Sequence, residues 1–534
     1  MAKILTENFR TGITKDFFNS FSSENYYIFA SSIDKDTTIT NSQVEKRDFL
    51  RRVIFGNKVD DTNARYLFDK NSWTEGTVYD AFDDSRDIST LDIYVTVLDG
   101  DINEGSYNVY KCLDNNGGSA STSQPTFTTN EETRTADGYI WKYMFSVPPS
   151  EYITYQTTTA LPYYENGSAA NTAVDNISDI LITSVDSNIF ESVVLGSNTA
   201  VQGITQEGAV GNYKVTIITD EDPSAVNDTY QNMYIKFDSN ENYIFEISQT
   251  VKPDDSTNQL DVYFTSSIIF DENEINEIES DTVSIVPKII VSPSDGTGDN
   301  CIAYGIIDSS GNLIDIQFAN RGSNYTYATA ELALPPALVG EKDCSLRVVV
   351  SPKNGHASNP ISELYMSKVL VNTSFFSSGL TNIPDSNTYT KIGIVKNPTF
   401  RDSTFPSDID NRMVLTANTD IRTDVITTNS YVYQTKSGGE VVEGKIHEIS
   451  YDSNTDITTM YLVDYTGDYN TTFEAGDANV KTEPDSLITN DFTINTVTPG
   501  NYTPYSGEIY HFVDFTAIER QPDTKEKVKF VFDF

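Results

Sequence analysis

Three histidines, His356, His447 and His511, and three cysteines, Cys112, Cys301 and Cys344, supply all the imidazole and thiol chemistry in this chain of 534 residues. A zinc site or an activated nucleophile needs such groups at short fixed spacings, as in HExxH, CxxC or a GxSxG elbow, and none occurs here. Each histidine therefore reads as structural. His356 lies in the turn-forming NGHASNP, and His447 and His511 lie within strand patterns. Carboxylates are abundant, with 78 Asp and Glu, and cleavage of a glycosidic bond would need two of them held about 5–10 Å apart. With so many acids, spacing along the chain singles out no pair. Asp99, Asp101 and Asn103 begin like a calcium loop, but Gly105 comes one place late and Tyr110 stands where the closing Glu belongs, so the segment reads as a surface turn. The glycines of 295–335 lack a GxxxxGK[ST] pattern and a following helix, which excludes a phosphate loop. The expectation is a protein without catalytic residues, metal ligands or cofactors.

Charge narrows the partners. Lys plus Arg is 36, giving a net charge of −42, which opposes attraction to nucleic-acid backbones and anionic lipid surfaces. Neither nucleic acid nor membrane is expected as a partner. Proteins that bind this chain should offer basic patches, or bind by shape and burial. No run approaches the roughly 18 apolar residues that cross a bilayer, and residues 1–12 lack a signal-type apolar core. With three unpaired-looking cysteines, the chain reads as a product of a reducing cytoplasm.

Strands should position whatever the chain presents. Tyr 32 and Phe 28, with many Thr, Ile, Val, Asn and Asp, favour β-structure joined by polar turns. In DGYIWKYMFSVPP (137–149), period-two alternation puts Tyr139, Trp141, Tyr143, Phe145 and Val147 on one face, and Ile140, Lys142, Met144 and Ser146 on the other. One helix is predicted at 42–54. Ser42 to Glu45 forms a capping-box pattern, Phe49, Leu50, Val53 and Ile54 follow helical spacing, and Gly56 can end it. Its polar side carries Lys46, Arg47, Arg51 and Arg52, the densest basic cluster in the chain. These charges either pair with nearby acids such as Asp48 and Asp60 or dock an acidic neighbour.

The wording of certain segments adds a resemblance. NVYKCLDNN (108–116), a Gly/Ser/Thr loop and DGYIWKYMFSVPP (137–149) are similar to the baseplate wedge subunit of contractile-tailed bacteriophages, the gene-product-eight type. ENFRTGITKDFFNSFSSENYYIFAS (7–31) resembles that family's opening strand, and YTKIGIVKNP (389–398), SGEIY (506–510) and EKVKFVFDF (526–534) resemble its closing segments in order. The matches cover about a third of the chain and leave the middle unmatched.

A mainly β, multidomain fold is expected, with a β-sandwich core built from both ends of the chain and small β domains inserted. Residues 1–165, 361–412 and 483–534 would form the core. An inserted β domain would occupy 166–290, with its acidic run 271–281 a solvated loop. A β-repeat module would occupy 291–360, with Ile314, Ile316 and Phe318 on one face, and a small barrel or hairpin module 413–482. In the last strand Val528, Phe530, Phe532 and Phe534 face inward.

The resemblance implies a non-enzymatic virion protein, assembled in the host cytoplasm, that joins other baseplate wedge subunits. It also implies homodimerisation and coupling of baseplate rearrangement to sheath contraction. Arg51, Arg52, Tyr26, Tyr27 and Tyr505 are the candidate interface residues, because Arg and Tyr carry binding energy in desolvated contacts. The rival expectation is a virion-associated carbohydrate-binding or depolymerising tail protein, which would need aromatic platforms and two opposed carboxylates.

Overall fold

The computed structural model describes residues 6–31, 42–165, 176–190, 199–219, 229–240, 243–253, 258–294, 296–335, 343–376, 388–423, 426–436, 438–463, 473–476, 480–481, 492–519 and 525–534. Strand accounts for 48% and helix for 11%, which makes the protein mainly β, with several sheets and few helices. The chain divides into two units, one of residues 1–69, 150–164 and 365–534, the other of 70–149 and 165–364. The segment 70–149 thus leaves the N-terminal part with which the sequence reading grouped it.

In the first unit a five-stranded sheet runs in the order Asp408–Asp410, Val53–Val59, Tyr26–Ser31, Thr388–Lys396, Glu508–Glu519. Tyr26–Ser31 is buried along its whole length because both faces are covered. Tyr27 and Phe29 pack with Phe49, Phe400 and Tyr502, while Tyr26 meets Phe17, Phe21 and Tyr510. A second sheet runs Lys525–Asp533, Lys368–Phe376, Ala64–Asp69, Ala160–Pro162. The two sheets meet where the rings of Phe55 and Phe375 cross edge-on at 4.9 Å. The six-stranded sheet of residues 413–498 closes its own core around Met413, Leu415, Val432, Ile446, Met460 and Leu462.

Two local readings are corrected here. Glu7–Ser23 is a helix, not the start of a strand, with Thr6 capping it through the Phe9 N–H. Thr14, Phe17 and Phe21 recur at helical spacing and are buried, so a helical stripe outweighs the similarity in wording. The second helix is Ser42–Arg51, and Val53 and Ile54 already belong to the strand Val53–Val59. Gly56 therefore sits inside that strand opposite Phe29 rather than ending a helix.

The second unit holds a four-stranded sheet ordered Tyr94–Asp99, Ser106–Asp114, Ile140–Val147, Glu132–Arg134. A closed barrel follows, Thr199–Gln206, Asn212–Ile218, Gln259–Thr265, Ile244–Val251, Tyr234–Phe237, Thr282–Val286. Closure pairs every strand on both sides and removes open edges. Its interior takes alternate residues, among them Val215, Ile217, Ile235, Phe237, Val262 and Phe264. Beyond it lie a four-stranded sheet, Leu313–Ser323, Asp299–Ile307, Lys288–Pro293, Ala328–Leu332, and the pair Cys344–Val350 with Ile177–Val185.

Three readings change in this unit. The acidic run is a helix, Glu272–Glu279, whose Asp271 and Glu274 form a reciprocal capping box and whose Ile278 anchors it in the barrel core. In the aromatic strand Phe145 stands opposite Val109 and Tyr143 opposite Tyr110, which leaves Met144 as a bulge residue. Val109 and Tyr110 point to opposite faces, so Phe145 does not share the face of Trp141 and Tyr143. The same device places Ile314. Ile307 pairs with Leu313 and Ile306 with Asp315, so Ile314 bulges outward at 57% exposure while Leu313 and Ile316 turn inward.

Candidate functional site: a charged cleft and a buried ion network

Two apolar strands of the second unit each carry a single lysine. Lys111 and Lys142 are cross-strand partners, and both are buried. Like charges placed directly opposite repel and must be compensated. Glu363 answers Lys111, with Oε2 3.0 Å from Nζ. Its position is set by Asn359-Pro360, a helix start in which the Asn359 side chain accepts from the Ser362 N–H. Glu363 also accepts from the Ala357 N–H at 3.2 Å and the Asn359 N–H at 3.1 Å. Lys111 lies over the Phe82 ring, 4.0 Å from its centre.

His356 completes this network. Its Nε2 is 2.8 Å from Ser178 Oγ and its Nδ1 3.8 Å from Glu363 Oε2. Ser, His and Glu in this order are the residue types of a nucleophile relay, but the surroundings disable it. Burial, reinforced by Lys111, holds the imidazole at a pKa of about 4, against the pull of Glu363, too weak a base at neutral pH. Burial by itself would raise Glu363, yet Lys111 and His356 outweigh it and hold the carboxylate well below its usual range. Lys111 is lowered by burial against the opposing charge of Glu363. The network is a buried charge cluster in which Lys111 and Glu363 offset one another.

Beside it opens a cleft of about 750 Å³, lined by Asp114, 130–132, Arg134, Lys142, Asn176, Ser178, Asp179 and 316–322, with Leu113 and Ile140. Arg321 organises its wall. Its Nε is 2.6 Å from Glu132 Oε2, and its Nη1 donates to the carbonyls of Ile177, at 3.1 Å, and Ser178. Arg134 lies 3.7 Å from Asp114 and donates to the Gly138 carbonyl at 2.8 Å, and Lys142 donates to the Asn130 carbonyl. Asp179 accepts the Ile180 N–H at 2.7 Å, and among the described residues no cation pairs with it. Burial, with the negative charge of Asp114 and against Arg321, pushes its carboxyl up to about 7. Asp114 is raised as well, chiefly by burial and against its hydrogen bond from Asn116. Among the described residues no group of three His, Cys, Asp or Glu could hold a metal ion, and no helix is long and apolar enough to cross a membrane.

The residues expected at an interface all lie in the first unit, where the Tyr505 N–H meets the Leu50 carbonyl at 3.5 Å, beside Arg51. Tyr26 and Tyr27 are fully buried, with hydroxyls 2.8 Å from Ser20 Oγ and from the Pro406 carbonyl, and cannot be contact aromatics. Arg52 is buried against Asp48 at 2.7 Å. Arg51 is half-buried. Tyr505 is 50% exposed and held at a positive φ of 65°, with the Arg47 guanidinium 5.7 Å from its ring centre. Sequence reasoning missed Lys111, Lys142, Asp179 and Glu363. For Lys111, Lys142 and Asp179 the available signal was a lone charge inside an apolar strand, since such a group must find a partner; Glu363, in the short helix Pro360–Glu363, carried no such signal.

No protein-family model matches the chain, and no curated protein is similar to it in sequence.

Proposed function

We propose that this chain is a structural, non-catalytic subunit of a contractile-tail baseplate wedge, held by neighbouring wedge proteins and moving with them when the sheath contracts. One observation carries the reading. Three of the separated segments that resemble the wedge family lie side by side in one sheet of the first unit, Tyr26–Ser31, Thr388–Lys396 and Glu508–Glu519, and within the second unit Ser106–Asp114 pairs with Ile140–Val147. A resemblance spread at random along a chain has no reason to assemble this way. The unmatched middle instead forms separately closed modules such as the barrel, in keeping with additions to a shared scaffold. Arg51 and Tyr505 remain the interface candidates on this reading, and self-association through such a surface belongs to it. Cryo-electron microscopy of tail particles carrying this chain tests the proposal, because density for it away from the baseplate would end it.

A second reading, a glycan-binding or depolymerising tail protein, draws on Asp114 and Asp179 in one cleft. Against it, the cleft's only lining ring among the described residues, Phe318, has one face under the Arg321 guanidinium at 4.3 Å, which leaves a sugar at most one face to stack on. Release of reducing sugar from capsule or cell-wall polysaccharide would establish this reading in place of the first.

A further inference from the structure

The geometry points to the cleft as a socket for a basic side chain, an arginine or lysine presented by a neighbouring protein. The argument is a charge inventory. Four carboxylates line the cleft, Asp114, Glu131, Glu132 and Asp179, against three cations, Arg134, Lys142 and Arg321. All three cations are engaged in the walls. Arg321 holds Glu132 and two carbonyls, Arg134 lies by Asp114 and donates to Gly138, and Lys142 donates to Asn130. Glu131 and Asp179 are left with no ion pair among the described residues. Asp315, on the strand Leu313–Ser323, adds negative charge near Asp179.

With carboxylates in excess of cations and its one lining ring already under a guanidinium, such a site favours a cation over an anion or a neutral sugar. A guanidinium would satisfy it, since a carboxylate in a desolvated cleft gains short, charge-assisted bonds from a fork of N–H donors. The volume leaves room for a long side chain with its flanking backbone. A chain of net charge −42 draws basic surfaces to itself. This inference rests on the wedge reading for where the partner comes from, while the cleft chemistry is tested on the isolated protein.

Capture of a cation requires Asp179 to lose its proton. With a carboxyl near pH 7, about nine-tenths is ionised at pH 8 and about one-tenth at pH 6, so affinity should fall about tenfold between them. The experiment titrates the full chain with acetyl-Gly-Arg-Gly-amide, and with its citrulline counterpart as an uncharged isostere, by calorimetry at both pH values. The expected result is binding of the arginine peptide alone, about tenfold weaker at pH 6, and lost in Asp179→Asn. Asparagine copies the neutral acid, so that variant should fold. Carbon-13 carboxyl spectra of the wild-type protein give an independent check, because the arginine peptide should lower the Asp179 midpoint. Equal binding of both peptides, no effect of Asp179→Asn, an unmoved midpoint, or tighter binding of a neutral oligosaccharide would overturn the proposal. Failure here leaves the wedge reading standing, whereas absence of the chain from the baseplate would remove that reading without touching cleft binding.

Discussion

Lys111 Nζ and Glu363 Oε2 lie 3.0 Å apart although 252 positions separate them in the chain. Both side chains are closed off from solvent, so neither charge has water to fall back on. Breaking a buried pair from one side leaves an uncompensated charge and costs about 3–5 kcal/mol. Glu363→Gln should therefore lower the urea midpoint strongly, and Lys111→Met with Glu363→Leu should recover much of the loss. A single-variant loss below about 1 kcal/mol would mean that water reaches the pair.

His356 makes stability depend on acid. Its pKa falls from 6.5 to about 4 in the fold, so its contribution is complete above 6.5 and is lost as pH falls from there towards 4. The loss amounts to about 3 kcal/mol. The stability advantage of wild type over His356→Gln, measured at each pH from 7.5 to 4, should shrink by about this amount, because every other titrating group is common to both proteins and cancels in the difference.

Asp179 acts in the opposite direction. Its pKa rises from 3.8 to about 7, so the stability linked to it is complete below 3.8 and is lost as pH climbs through 7. The change is about 4 kcal/mol at most. Asp179→Asn should be the more stable protein at pH 8 and nearly equal to wild type at pH 4. Equal midpoints at pH 8 would place Asp179 in open water.

Among the aromatic candidates, burial separates folding from contact. Tyr27→Ala should cost about 3–5 kcal/mol of stability, because the ring sits between Phe29 and Phe400 at 5.5 and 5.1 Å. Tyr505→Ala with Arg51→Ala should leave the unfolding midpoint within about 0.5 kcal/mol. On the wedge reading the same pair weakens assembly in sedimentation experiments, and a shifted midpoint would instead give these residues a structural role.

Gly56 is required by close approach. A Cβ there would press into the Phe29 ring and lie 2.7 Å from the Ile28 carbonyl oxygen, a backbone atom that cannot step aside. Gly56→Ala should cost about 1–3 kcal/mol, read by chemical denaturation.

Strand content, turn positions and the last strand's pattern were legible because they depend on neighbours two residues away. Val528, Phe530, Phe532 and Phe534 are the more buried members of that region, as alternation requires. Barrel strands such as Asn212–Ile218 carry the same period-two signature. Wherever one residue was added to a pairing, that logic broke. Met144 and Ile314 each shift the face of the residues beyond them, and a bulge is set by the partner strand rather than by the bulged segment. The helix Glu7–Ser23 was misread for a related reason, since aromatic residues suit strands and buried helix faces alike. Asp179 and Glu363 looked like two acids among 78. Composition could establish a β-rich, strongly acidic protein, but which carboxylate meets a lysine and which faces a cleft without one depends on contacts between distant segments, and those form only when the chain folds.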